Sequence, residues 1–152
     1  MTAKQKVLDP AMRGEIERFF AEEIPFNRYL GLRLVSLERG VATLLLPFKP
    51  ELVGDPMRPA LHGGVIAAAL DTAVGGAAVF SELGVGDRVS TVDIRVDYLR
   101  PGRLEDLYAE ATIKRVGNRM GVTAIRAFHE SDPEQSVAEA MAVYNIRRVQ
   151  DR

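Results

Sequence analysis

The sequence predicts an α+β fold in which an antiparallel sheet wraps around one long central helix. Three observations carry this expectation. From Val65 to Phe80 the chain holds a single charge, Asp71, in a run of Ala, Gly and aliphatic residues, the pattern of a helix buried on most sides. The segments after that run alternate apolar and polar residues, as half-buried strands do. The connections between them are too short for the crossovers of a parallel sheet.

Residues 1–24 read as an N-terminal helical extension. Within it, "PAMRGEIERFFAEE" sets Ile16, Phe19 and Phe20 at helical spacing among polar residues, which describes a short amphipathic surface helix with a structural role. "LRLVSLE" (32–38) and "VATLLLPF" (41–48) flank Arg39 and Gly40, a hairpin in which Gly40 can supply a positive φ at the turn. Residues 60–80 are expected to form one continuous helix. "VSTVDIRVDYL" (89–99) then places Val92, Ile94, Val96 and Tyr98 on one face of a strand and Thr91, Asp93, Arg95 and Asp97 on the other. Pro101 and Gly102 end that strand. "LEDLYAEATIKRV" (104–116), a tight turn at Gly117 and Asn118, "MGVTAIRAFHE" (120–130) and "SVAEAMAVYNIRR" (136–148) complete a meander of antiparallel neighbours. With no repeat, linker or low-complexity tract in between, residues 1–152 are read as a single domain.

Composition excludes several functions. Twenty Lys plus Arg against 21 Asp plus Glu give a net charge of -1, so no broad basic field is available for nucleic acid or an anionic membrane surface. The absence of cysteine removes disulfides, thiolate metal sites and a cysteine nucleophile. Residues 1–20 lack the continuous apolar core of a secretory signal, and a cytoplasmic location is expected. A membrane span through 65–80 is disfavoured by Gly75, Gly76 and Asp71, whose burial in a bilayer would cost about 2.5–3.5 kcal/mol.

"LHGGVIAAALDTAVGGAA" (61–78), followed by "STVDIRVDYLRPG" (90–102), resembles the hotdog-fold acyl-CoA thioesterase superfamily, in its phenylacetyl-CoA and 4-hydroxybenzoyl-CoA thioesterase-like branch. The shared pattern is a His-Gly-Gly turn that opens the central helix, an acidic residue nine positions after the histidine, and a strand running into Arg-Pro-Gly. The similarity extends over residues 25–147. It implies a hotdog fold and hydrolysis of an acyl-CoA to a free acid and CoA, with no cofactor other than the CoA carried by the substrate and no metal. It also implies sites built at the interface of a homodimer, in a dimer of dimers.

The residues themselves suit that chemistry. A helix N-terminus presents unpaired N–H groups and partial positive charge to an oxygen that becomes anionic during acyl transfer. Gly63 and Gly64 let a substrate approach that backbone closely. Asp71 can attack the thioester carbonyl or activate a water as general base. His62 either shapes the turn or binds the thioester carbonyl. Thr91 matches the position at which relatives place a hydroxyl that helps hold the nucleophilic water. Arg100, Asn118 and Arg119 are the expected CoA contacts, the last two at the turn that relatives use for the nucleotide. Gly64 and Asp71 are seven residues apart, roughly 10 Å along one helix, so one chain cannot bring both to the same reacting group. A site shared across a two-fold axis can, and the polar row Asp93, Arg95, Asp97 could pair with itself across such an axis.

Plainer roles compete at each position. Asp71 could be a structural carboxylate satisfied by a neighbouring Thr. Gly75 and Gly76 are expected to permit close packing, and His129 to lie on the surface. One departure from the resemblance is specific: the segment before the histidine is "VGDPMRPA", with Pro56 and no Asn or Gln, which leaves Asp55 or Arg58 as substitutes. This keeps open a hotdog protein that binds acyl-CoA or another apolar ligand without turning it over. A Ser-His-Asp elbow and a phosphate loop are both missing from the sequence.

Overall fold

The computed structural model describes residues 8–84 and 86–149, the side chains of residues 72–74 excepted; the first seven residues of the N-terminal extension lie outside it. Its order begins with a helix α1 (Pro10–Arg18), capped by Asp9, whose carboxylate accepts from the N–H groups of Ala11 and Met12. The last turn widens into a π-turn over Phe19–Glu23, and α2 (Pro25–Leu30) follows, ended by Gly31 at φ 75°. Ile16 and Phe20 are buried while Phe19 stays partly exposed, so the amphipathic reading of this stretch holds.

Strands β1 (Arg33–Glu38) and β2 (Val41–Leu46) form the expected hairpin, with Gly40 at φ 77°. A small hairpin not foreseen from the sequence, β3 (Val53–Asp55) with β4 (Ala60–Leu61), then delivers the chain to the central helix. It is followed by β5 (Arg88–Tyr98), β6 (Leu107–Val116), β7 (Met120–His129) and β8 (Asp132–Arg147). All six long strands make one antiparallel sheet in the order β1-β2-β6-β7-β8-β5. The fold is α+β, as expected, with the helix enclosed by the sheet. Fully buried alanines on three strands, among them Ala109, Ala127, Ala138 and Ala142, let the helix lie close to the sheet. Leu44, Leu46, Leu70, Val79 and Leu107 fill the space between.

The structure corrects the sequence reading in four places. β5 pairs with β8 and not with β6, so the meander is interrupted. Within the six-stranded sheet, short turns tie only β1 to β2, β6 to β7 and β7 to β8. The longer stretch from Leu99 to Asp106 crosses the end of the sheet, and β5 becomes its edge. Second, the central helix is not continuous. It runs as α3 (Gly63–Ala68), then wide turns over Ala69–Gly76 with non-helical dihedrals at Asp71 (φ -75°, ψ -117°), then α4 (Ala77–Phe80). Third, a bulge between Thr91 and Asp93 breaks the alternation of β5. Thr91 consequently shares the inward face with Ile94 and Val96 and leaves Val92 exposed.

The fourth correction concerns His129, expected on the surface and in fact 3% exposed. Its Nε2 accepts from the Arg103 N–H at 2.9 Å, and its Nδ1 faces the Asp106 carbonyl at 2.8 Å. Both nitrogens are thereby spent on the second half of the crossing segment; its first half is tied to β8 and β4 through the N–H groups of Leu99 and Arg100 and the Gly102 carbonyl. Among the described residues, no helix is long and apolar enough to cross a membrane. None of the described His, Asp or Glu residues cluster in a group that could hold a metal ion.

Candidate active site

Asp71 sits where the helix breaks, half-buried, in the apolar segment that the sheet encloses. A broken helix leaves main-chain groups without their usual partners, and a buried carbonyl must find another donor. Here the donor is the hydroxyl of Tyr144, 3.1 Å from the Asp71 carbonyl. The Asp71 carboxylate is held separately: Thr91 Oγ1 donates to its Oδ1 at 2.8 Å. Thr91 and Tyr144 face each other as paired residues of β5 and β8. Burial, and then the negative charge of Asp71, push the Tyr144 hydroxyl above the usual phenol range, so it remains a proton donor at neutral pH.

Room for Tyr144 comes from Gly75. A Cβ at that position would run into the Tyr144 hydroxyl and crowd Ile125, which bears out the close-packing reading of this glycine. Tyr144 is the residue that sequence reasoning missed. Its signal was one large polar-tipped side chain in the alanine-rich β8, facing a Gly-Gly pair in the central helix.

At the start of the helix, His62 is the N-cap, and its Nδ1 accepts from the Gly64 N–H at 2.9 Å. That places the proton of the neutral ring on Nε2, in a residue that is exposed as a whole. The Gly64 N–H is therefore engaged, and among the described residues the Gly63 N–H meets no acceptor. A Cβ on Gly64 would press on the His62 ring at 3.0 Å. The Tyr98 hydroxyl donates to the Gly63 carbonyl at 2.8 Å and ties the end of β5 to this turn. A cleft of about 370 Å³ opens here, lined by Gly63, Ile66, Tyr98 and Arg100 among others.

Two groups of site residues thus lie at opposite ends of β5, with Asp71 and Thr91 near its beginning and Gly63, Tyr98 and Arg100 at its end. Arg100 donates to the Ser136 carbonyl at 2.6 Å and lines the cleft. Asn118 and Arg119 occupy the β6–β7 turn, at the other end of the sheet from Arg100. One chain does not bring these three together. Asp55, one of the two substitutes for the missing amide, already accepts from Met57 N and Arg58 N and shapes its own turn. Arg58 is exposed.

Residues 59–136 match the family profile of the thioesterase superfamily. The chain is 36% identical over 143 residues to the medium/long-chain acyl-CoA thioesterase YigI of Escherichia coli (strain K12), which covers 86% of this chain and 91% of that one. A putative esterase of Halobacterium salinarum is 36% identical over 118 residues, covering 76% of this chain and 77% of its own. Among solved structures, a thioesterase-family protein from Silicibacter pomeroyi superposes with a TM-score of 0.81 at 26% identity, covering 90% and 98% of the two chains. A protein from Shewanella oneidensis related to the thioesterase superfamily gives 0.80 at 29% identity, covering 91% and 99%.

Proposed function

This chain belongs to the thioesterase superfamily and is a thioester hydrolase, and from that premise we propose that it cleaves acyl-CoA to free acid and CoA at a site shared between two copies. The observation that carries the reading is Asp71, a half-buried carboxylate at a helix break, with one oxygen held by Thr91. The Asp71 Oδ2, which no hydrogen bond among the described residues engages, takes a proton from a water that attacks the thioester carbon, or attacks that carbon itself. The C–S bond breaks as the new C–O bond forms, and the CoA thiolate leaves and takes up a proton; on the direct route, water then hydrolyses the acyl-Asp71 anhydride to the free acid. Medium- and long-chain acyl groups are the substrate class, by similarity to YigI.

Two ties on the edge strand support a shared site. Thr91 holds Asp71 near the start of β5, and Tyr98 holds the Gly63 turn near its end. Antiparallel pairing of two β5 edges, centred near Ile94 and Arg95, sets the Asp71 of one chain beside the helix start of the other. Such pairing also satisfies the unpaired edge of an 11-residue strand. The Gly63 N–H and the His62 Nε2–H then serve as donors to the developing oxyanion, while Arg100 meets the CoA together with Asn118 and Arg119 of the opposite chain.

The test is thiol release from a panel of acyl-CoAs. Asp71→Asn is expected to lose at least about a hundredfold in kcat with folding retained. Mixing Asp71→Asn with Gly64→Val and allowing subunits to exchange should then restore about half of one dimer's activity, because one of the two mixed sites carries neither change. Absence of recovery with exchange verified would place each site within a single chain. Acyl-CoA binding by the wild type without thiol release would favour a non-catalytic binding protein.

A further inference from the structure

A cavity of about 560 Å³ opens between the N-terminal extension and the far half of the central helix, a size suited to a small apolar ligand. Its walls are Phe19, Phe20, Ile24, Gly76, Phe80 and Val89. The one carboxylate on its rim, Asp87, is turned to other work: it accepts from Val149 N at 2.9 Å and Gly84 N at 3.0 Å and pairs with Arg148 at 3.1 Å. Those backbone hydrogen bonds, more than the arginine, hold its carboxyl below the usual range and keep it ionised and satisfied. Arg88 also lines the cavity, and Phe19, Phe20, Ile24, Phe80 and Val89 make up its apolar wall.

Two residues of its wall, Gly76 and Val89, lie close along the chain to Asp71 and Thr91. Gly76 lies five residues beyond Asp71 on the same helical run, and Val89 lies two residues before Thr91 on the same face of β5. Either separation is about 7 Å along its element. At its far side, Phe19 stacks on Phe80 with ring centres 5.8 Å apart and planes at 14°. Phe20 sets its edge against both rings, at 5.3 and 5.8 Å. Beyond this cluster lies a second cavity of about 320 Å³, which shares Phe19 and Phe80 and adds Met12 and Ile16. The stacked pair is therefore a partition between two cavities, the second of which also has Glu15, Arg18 and Glu23 on its lining. Phe20 is 3% exposed and fixed, whereas Phe19 is 38% exposed and is the leaf that can be altered.

We infer that the larger cavity receives the distal methylene chain of the acyl group and that the Phe19–Phe80 partition ends it, setting the acyl length the enzyme accepts. This rests on the proposed acyl-CoA hydrolysis for the direction from which the chain enters. Phe19 lies before the segment that matches the family profile, and Phe80, its partner in the partition, lies within it.

The test compares kcat/KM for octanoyl-, lauroyl-, palmitoyl- and stearoyl-CoA in the wild type, Phe19→Ala and Phe19→Trp. In the wild type, kcat/KM should climb by about fourfold per added methylene until the partition is reached, and then stop climbing. Phe19→Ala joins the two cavities and should move that limit to a longer chain, raising kcat/KM for the first excluded substrate by about tenfold relative to octanoyl-CoA. Phe19→Trp should move it to a shorter one, and this variant stays informative if the alanine protein does not fold. An identical limit in the folded variants and the wild type overturns the inference. Should the wild type hydrolyse no acyl-CoA at all, the hydrolase reading fails by itself. The cavity is then decided by calorimetric titration with non-hydrolysable acyl-CoA thioethers of the same lengths: a limit that moves with residue 19 supports it, and a fixed limit overturns it.

Discussion

The central helix is interrupted twice, at its start by His62 and in its middle by Asp71, and the two interruptions are satisfied in opposite ways. At the start, a side chain two positions away accepts the orphaned N–H, so the cap is local and exposed. At the break, the partners come from 20 and 73 residues further along the chain, on two different strands. A cap at an exposed helix start needs only a short stretch of chain to form it. A carboxylate in an apolar segment, with one defined orientation, needs the finished sheet around it. The first arrangement should therefore survive small perturbations, and the second should respond to changes that never touch the carboxylate.

Substitutions that separate the two interruptions sharpen this contrast. The largest effect is expected from Gly75→Ala, which forces a methyl group against the Tyr144 hydroxyl. Overpacking of this kind costs about 1–3 kcal/mol, and a thermal melt should fall by several degrees together with kcat. The double change Gly75→Ala with Tyr144→Phe should cost less than the sum of the two single changes, because the colliding oxygen is gone.

Tyr144→Phe alone comes next. It keeps the ring and leaves the Asp71 carbonyl without its donor, at about 1–2 kcal/mol of stability. If Tyr144 positions Asp71, kcat should fall several-fold while KM for the acyl-CoA hardly changes. A change in melting temperature with no change in kcat would reduce Tyr144 to a packing residue.

His62→Ala is expected to have the smallest effect on stability, about 1 kcal/mol or less, since the cap it removes is exposed and water can replace it. Its kinetic effect separates the two roles open to this histidine. Unchanged kcat would leave it a cap alone, and a loss of tenfold or more would mark its Nε2–H as an oxyanion donor.

The contrast also explains what could be read from the sequence. The β1–β2 hairpin was legible through Gly40, and the strands through their alternation, because both signals act between near neighbours. Asp71 stood out because a carboxylate in an apolar run has few ordinary explanations, and the resemblance singled out Thr91. What escaped depends on contacts between distant residues. The edge position of β5 follows from which strands fill the space between it and β6, and residues 99–106 alone do not contain that information. The burial of His129 follows from that crossing segment's need for hydrogen-bond partners. The break at Asp71 is stabilised by Tyr144, far along the chain, so no local propensity announces it.

One rung of the sheet, Thr91 facing Tyr144, grips Asp71 by both its side chain and its main chain. A slip of β5 against β8 by a single residue would thus separate the two grips, leaving the carboxylate and its own carbonyl under the control of different neighbours. Immediately after that rung comes Val92, which belongs to no rung, since the next pair is Asp93 with Val143. The spare residue works as an expansion joint. Strain that reaches the outer edge of β5, whether from an approaching partner or a changed sequence beyond Asp93, can be taken up there before it arrives at the rung that aims the carboxylate.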